Sequence, residues 1–446
     1  RGPRRARTWL LSLPAIVVIN DTAYVHGGLP PLIAETSLDA LNSAISTKLR
    51  RYLELREHLE NADVLPIGDM SRDLEYAQAA LATANTAPAG AEPAPAGGDA
   101  ESGEAEPAAV TLTPELEARI REFVELGNAP ELGVDGPLWF RGSVYCKPLL
   151  ERPILEAALA QLAVDRVVVG HTPTDDRRAR ALYEGKLLML DTGMLAAYYS
   201  GRPAALVVER DQQYVQYANP PERGTLEQGS TVEPYPFSES ELIAALERGT
   251  VTIFTGPEDG VPWPVMIEQD GVDIRAAFFP QANRVADLEL AAGALDDLLG
   301  TALVPPTVAR TIDGEAGAVQ LRYPRETTET QRIEQRTGFS GWCPIEPQLD
   351  LMRTFDLLTF NRGRSADNVI YVNDLTDVVL TDHRSAFGVE RALPAGVDRE
   401  LAMPQALIEA LRALDEPRLG AAFGERVDAR RIRALLARRD QLLQGR

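Results

Sequence analysis

Val25-His26-Gly27-Gly28 closes one short apolar run, and Val167-Val168-Val169-Gly170-His171-Thr172 closes another. Neutral imidazole is a ligand for zinc, iron or manganese, and the glycines beside it let the backbone approach a metal or a phosphate closely. The chain has only four histidines, and these two stand where a strand gives way to a glycine turn, the place at which open sheets present side chains to ligands. Two imidazoles alone do not make a hydrolytic centre. A dinuclear site also needs carboxylates to bridge its ions and lower the pKa of bound water. A second pattern lies in the C-terminal half, where Asn361-Arg362-Gly363-Arg364-Ser365-Ala366-Asp367-Asn368 precedes an apolar run and then Thr381-Asp382-His383. Asn368 and Asp382 offer hard oxygens, the donors that Mg²⁺ requires when it bridges nucleotide phosphates. Asp382 and His383 also read as a strand-end turn, and Glu289, in the helical segment upstream, as a charge on a helix surface.

These groups need elements to position them. Residues 15–34 read as strand, turn and loop, and 37–60 as a helix opened by Ser37, with Leu38, Leu41, Ile45, Leu49 and Leu53 as a core stripe. His58 falls within that helix and reads as solvated. From Pro148 a helix leads into a strand at Arg166–Val169 and so to His171; a strand at 187–190 delivers Asp191, which places Asp191 and His171 at one sheet edge. A strand at 204–209 closes this region. Further on, strands at 265–269 and 272–279 flank the turn dipeptide Asp270-Gly271. A helix carrying Leu288, Leu295 and Leu299 follows, then strands at 304–308 and 318–323, then a long helical region. The order is α+β.

Composition bounds the function. With 446 residues, 45% hydrophobic and 25% charged, the chain can bury the cores of two or three domains. A net charge of -21 argues against nucleic acid or an anionic membrane as the main partner, since counterion release needs a basic face. Cys146 and Cys343 are too few and too distant in sequence to imply a disulfide framework, so a reducing, cytoplasmic compartment is expected. Arg4-Arg5-Ala6-Arg7 before an apolar stretch mimics a signal peptide, but no small-residue cleavage site follows. We read it as a helix end, a break at Pro14 and a buried strand. Residues 83–113 are Ala/Pro/Gly/Glu-rich and cannot repay the entropy of ordering, so they read as a flexible insertion. Residues 211–235, rich in Gln, Pro, Glu and Gly, read as a linker.

Four segments in order, Asp21 to Leu29, Gly136 to Gly142, Gly170-His171-Thr172 and Leu190 to Met194, resemble the later motifs of calcineurin-like metallophosphoesterases, in particular the bacterial Shewanella-like phosphatase branch. The resemblance implies a β-sandwich flanked by helices, His26 and His171 as metal ligands, Arg141 as the phosphate-contacting catalytic residue, and two divalent metal ions (Mn, Fe or Zn). The family begins with G-D-x-H-G, G-D-x-x-D-R-G and G-N-H-[DE], and none of these occurs here. Gly68-Asp69-Met70-Ser71-Arg72-Asp73 has its Arg and Asp in the wrong order, and Gly127-Asn128-Ala129 lacks the histidine. Because the chain starts at Arg1 shortly before the first histidine motif, the expectation is that its N-terminal portion is missing.

The second half resembles the atypical kinases of the lipid-kinase-like and secretory-kinase-like group, whose catalytic loop reads N-x-D-R-x-x-x-N, followed by a strand and I-D-H-x-x-A-F. The resemblance implies a bilobal α+β domain in which Asn368 and Asp382 bind Mg-ATP and Glu289 is the N-lobe helix glutamate, pointing into the cleft. Two departures follow. Gly363 stands at the catalytic aspartate, leaving a gap where a base would stand. No lysine occurs after Lys186; Phe279 holds the place of the phosphate-gripping lysine, and Arg275 is the nearest cation on the same strand. Both point to a pseudokinase.

The expectations are therefore a phosphoesterase-like domain at 1–210 (incomplete at its N-terminus), a linker at 211–235 and a kinase-like domain at 236–446. The leading function is a metal-dependent phosphatase acting on a phosphoprotein or small phosphomonoester, fused to a degenerate kinase-like domain. The alternative is a non-catalytic, nucleotide-sensing or client-binding pseudokinase carrying an inactive phosphatase remnant.

Overall fold

The computed structural model describes residues 7–68, 70–86, 112–174, 176–209, 212–229, 235–254, 262–339, 343–373, 375–394 and 401–446. Most of the 83–113 insertion and Asp69 of the out-of-order motif lie outside them. The fold is mixed α+β. It divides into two compact units, one of Arg1–Phe140 with Gln161–Val164, the other of Arg141–Ala160 with Asp165–Arg446.

In the first unit, β1 (Ile16–Ile19) and β2 (Thr22–Val25) form an antiparallel hairpin. Asn20, at φ 55°, turns it; a short polar side chain tolerates that left-handed conformation best after glycine. Ser37 caps helix Leu38–Asn61 by accepting from the Ala40 N–H. Asn42 on that helix brackets Ile16, accepting from its N–H at 3.0 Å and donating to its carbonyl at 2.9 Å. Helices Asp73–Thr86 and Pro114–Gly127 pack on the same helix through Leu55, Leu59, Ala77, Ile120 and Phe123. Asp73 is buried in an ion pair with Arg56 at 2.6 Å, so this carboxylate is spent on structure. His58 is exposed, as its place on the helix implied.

The second unit begins with a single turn at Gly142–Tyr145 and helix Pro148–Leu162. A sheet follows in the order β3-β5-β4-β9, built from β3 (Arg166–Val169), β4 (Arg180–Leu182), β5 (Leu187–Met189) and β9 (Glu227–Gln228). β6 (Ala204–Glu209), β7 (Gln212–Tyr217) and β8 (Glu222–Gly224) make a three-stranded sheet. Much of the segment expected as linker is therefore strand. Val215 and Tyr217 are buried while Gln212 and Gln216 face out, and an exposed Gln213 on the buried side breaks the alternation that would have marked the strand.

Helix Glu239–Arg248, closed by a capping box from Ser238 and Glu241, leads into a five-stranded antiparallel sheet. Its strands are β10 (Thr250–Phe254), β11 (Trp263–Gln269), β12 (Val272–Pro280), β13 (Thr307–Ile312) and β14 (Glu315–Leu321), in the order β10-β11-β12-β14-β13. Asp270 and Gly271 turn the β11–β12 hairpin with φ of 50° and 80°. Helix Val285–Leu299 packs beside this sheet and also enters a large apolar core. Helices Ile345–Thr359, Gln405–Arg412, Glu416–Phe423 and Ala429–Leu442 complete that core. β15 (Thr327–Thr328), β16 (Val369–Val372) and β17 (Asp377–Leu380) form a small sheet on it.

The compact units part at Phe140/Arg141 rather than near 210, and three anchors explain why. Leu149 and Leu150 pack against the large core. The buried Lys147 ammonium pairs with Asp377 at 2.8 Å and donates to the Ala302 carbonyl. Cys146 and Cys343 are joined by a disulfide, their Cα atoms 5.4 Å apart. The two cysteines that seemed too few and too distant in sequence to imply a disulfide framework are thus paired. Separation in sequence, 197 residues here, says nothing about distance once helices pack. Among the described residues no helix is long and apolar enough to cross a membrane.

Candidate functional site

The parallel pairing of β3 and β5, from Val167 opposite Leu187 to Val169 opposite Met189, sends His171 and Asp191 off the same edge of one sheet. His171 is exposed, with φ 61°. The Asp191 carboxylate accepts from the Gly193 N–H at 2.9 Å, an Asx turn that fixes the loop. Arg141 is buried, and burial draws its guanidinium below its usual pKa. His26, exposed at the end of β2, belongs to the other compact unit. Gly28 there is required by packing, since a Cβ would lie 3.0 Å from the Phe140 carbonyl oxygen. Among the described residues no three His, Cys, Asp or Glu side chains converge as a metal cage. The ligands named from the sequence do not by themselves form a dinuclear centre.

The second candidate site is a cleft of about 680 Å³ in the second unit. One wall is the β11–β12 hairpin, with Trp263, Val265, Met266, Ala277 and Phe279 as its apolar surface and Arg275 on the same strand. The other wall is polar: Ser365, Asp367 and Asn368 from the loop before β16, and Thr381 and Asp382 from the end of β17. The structure thus brings Asn368 and Asp382 together, as their spacing implied. Arg322, Asp367 and Trp263 also line the cleft and were missed; a β-strand pair presents every second residue to one face, which only the observed register assigns.

One residue organises the polar wall. Arg364 forks onto Asp356 at 2.9 and 3.0 Å and donates to the carbonyls of Asn368 and Thr381, so it ties helix Ile345–Thr359 to both loops. The Asn368 amide is consumed locally. Its Oδ1 accepts from Ser365 N–H at 2.9 Å and Arg364 at 3.2 Å, and its Nδ2 donates to the Gly363 carbonyl at 2.9 Å. Asp382 takes a left-handed φ of 61° and pairs with Arg384 at 2.5 Å, leaving its carboxylate on the cleft surface.

Two expectations about this site are corrected. Glu289 does not point into the cleft. It is fully buried, accepts from the His383 backbone N–H and meets His383 Nδ1 at 3.0 Å, with Gln320 Nε2 3.5 Å away. Without a lysine to draw it outward, a buried carboxylate takes the nearest donors, and these belong to the residue after Asp382. Gly363 does not leave a gap: a Cβ there would lie 2.9 Å from Ser385 Oγ and 3.0 Å from its Cβ. The hydroxymethyl group of Ser385 fills the space in which a base would stand.

No family model matches the chain. It is 35% identical over 81 residues to an uncharacterized protein of Schizosaccharomyces pombe, a match covering 18% of this chain and 23% of that protein. Among solved structures it resembles the Helicobacter pylori proinflammatory kinase CtkA, with a TM-score of 0.30 and 10% identity, over 44% of this chain and 92% of that one. The chain thus spans about a quarter of the curated relative it matches, and neither likeness assigns it to a family.

Proposed function

We propose that the segment from about 236 onward is a bilobal, kinase-like domain that holds a metal-bound nucleotide in the 680 Å³ cleft without transferring its phosphoryl group. The observation that carries this reading is the cleft's division: an apolar wall from Trp263 to Phe279 faces the carboxylates of Asp367 and Asp382, with Arg275 and Arg322 beside them. A planar base suits the first wall, and phosphates with a divalent cation suit the second. The donor set fits Mg²⁺ through Asp382, a hard anionic oxygen on the cleft surface. The Asn368 oxygen already accepts two hydrogen bonds and shapes the loop instead. A magnesium ion held there would supply charge neutralisation for the phosphates. At the position where a catalytic aspartate would stand, Gly363 has no group to accept a proton from an attacking hydroxyl, and Ser385 fills the space.

Isothermal titration with Mg-ATP tests this. Wild type should bind, Asp382→Ala should weaken Mg-ATP more than metal-free ATP, and no labelled phosphate should enter protein or lipid. Phosphate incorporation that Asp382→Ala abolishes would make the domain an active kinase.

A phosphomonoester hydrolase is the second reading. It is favoured by the placement of His171 and Asp191 at one edge of the β3–β5 pair. The described residues do not complete its metal site. Negligible hydrolysis of p-nitrophenyl phosphate with manganese is expected of this chain. Turnover that His171→Ala removes would restore the hydrolytic reading.

A further inference from the structure

The two cations of the cleft differ in how much of their charge is already spent. Arg322 gives Nε and Nη2 to Glu326 at 3.0 and 2.7 Å, a pair that neutralises itself. Arg275 makes no ion pair among the described residues. Its bonds are from Nη1 to the carbonyl oxygens of Tyr323 and Pro324, at 3.5 and 3.1 Å, and neither carbonyl carries net charge.

Its position gives that charge a use. Along β12, residues two apart share a face, so Arg275, Ala277 and Phe279 run in a row, and all three line the cleft. Phe279 is fully buried at the inner end of this row, and Arg275 is exposed at the outer end. The guanidinium also borders a second, open depression of about 630 Å³, so it stands on the ridge between two spaces with room to turn into either.

We propose that Arg275 grips the phosphate tail of the ligand in this cleft, so that the preferred ligand is a nucleoside di- or triphosphate and not a nucleoside. This rests on the nucleotide reading of the cleft and adds the residue that selects for the tail. A guanidinium makes forked bonds to phosphate oxygens that an ammonium cannot reproduce, so lysine is a poor substitute at this position.

The test is titration of the full chain with Mg-ATP, adenosine and inorganic tripolyphosphate. Arg275→Ala and the size-conserving Arg275→Gln should each weaken Mg-ATP and tripolyphosphate by about tenfold or more and leave adenosine unchanged. Arg275→Lys should recover only part of the loss. Thermal melts identical to wild type will show that these exposed substitutions leave the fold intact. If both variants bind Mg-ATP as wild type does, or lose adenosine equally, Arg275 has no role at the tail while the nucleotide reading stands. Tripolyphosphate binding that depends on Arg275, without any adenosine binding, would keep the clamp and sink the nucleotide reading. Wild type that binds none of the three ligands overturns both.

Discussion

Two glutamates of the second unit are removed from water, and they solve the problem of burial in opposite ways. Glu289, behind the cleft, is surrounded by donors: the His383 N–H, the His383 imidazole and the Gln320 amide. Glu151, on helix Pro148–Leu162, has its Oε2 sealed from solvent with no hydrogen-bond partner among the described residues. Desolvation alone raises its pKa from 4.5 to about 7. Beside it, burial first and the Glu151 charge second push the Tyr183 phenol up, and Tyr183 donates to the Ser143 carbonyl at 3.0 Å. The contrast separates two kinds of buried polar region. Behind the cleft, Glu289 is matched to donors and anchors the loop that bears Asp382. Near Glu151, a carboxyl escapes the cost of burial by holding its proton.

The strongest way to break this contrast is to remove the matched carboxylate. Glu289→Ala leaves the His383 N–H and imidazole facing a cavity, and should destabilise the chain by about 3 kcal/mol in urea unfolding. Mg-ATP binding should fall with it, because the loop bearing Asp382 loses its anchor to helix Val285–Leu299. A loss under about 1 kcal/mol would mean that the pair is not a structural link.

Glu151→Gln probes the other side with a smaller effect of opposite sign. Between pH 4.5 and about 7 the folded carboxyl keeps a proton that the unfolded chain has released. Stability from this group is therefore full below about 4.5, falls as pH rises through that window, and is lost above about 7. Glutamine does not titrate, so the variant should be more stable than wild type at pH 8, by an amount on the order of 2 kcal/mol, and equal to it near pH 4.5. Melting curves across pH decide it: a constant offset between the two proteins would show that Glu151 does not change its protonation on folding.

The elements themselves were largely legible. Helix 37–60, the strand at 166–169, the Asp270-Gly271 hairpin and the helix ending at Leu299 each carry a local signal of period, cap or turn, and such signals need no partner to be read. The cleft was half legible. The apolar run between Asn368 and Asp382 shows that a strand returns the chain, which is enough to bring the two residues to one place. Where their side chains turn is set elsewhere. Asn368 is bonded within its own loop, to Gly363, Arg364 and Ser365, and Asp356 on helix Ile345–Thr359 holds Arg364 in place; Glu289 meets His383 across 94 residues of sequence. The strand at 212–217 was missed because an exposed Gln213 on its buried side breaks the alternation, and the disulfide because 197 residues separate its ends.

By itself the sequence determined the α+β order of elements, the acidic surface, the absence of lysine beyond Lys186, and the presence of glycine where a catalytic carboxylate would stand. Tertiary structure decided which charges remain available. Arg322 and Arg275 look alike in sequence and both line the cleft, yet one is neutralised by Glu326 while the guanidinium of the other bonds to carbonyl oxygens. Glu151 and Glu289 look alike too, yet one is driven to keep its proton and the other is held by donors. Charge is a property of the residue; its pairing and its hydration depend on neighbours that only folding brings within a few ångström.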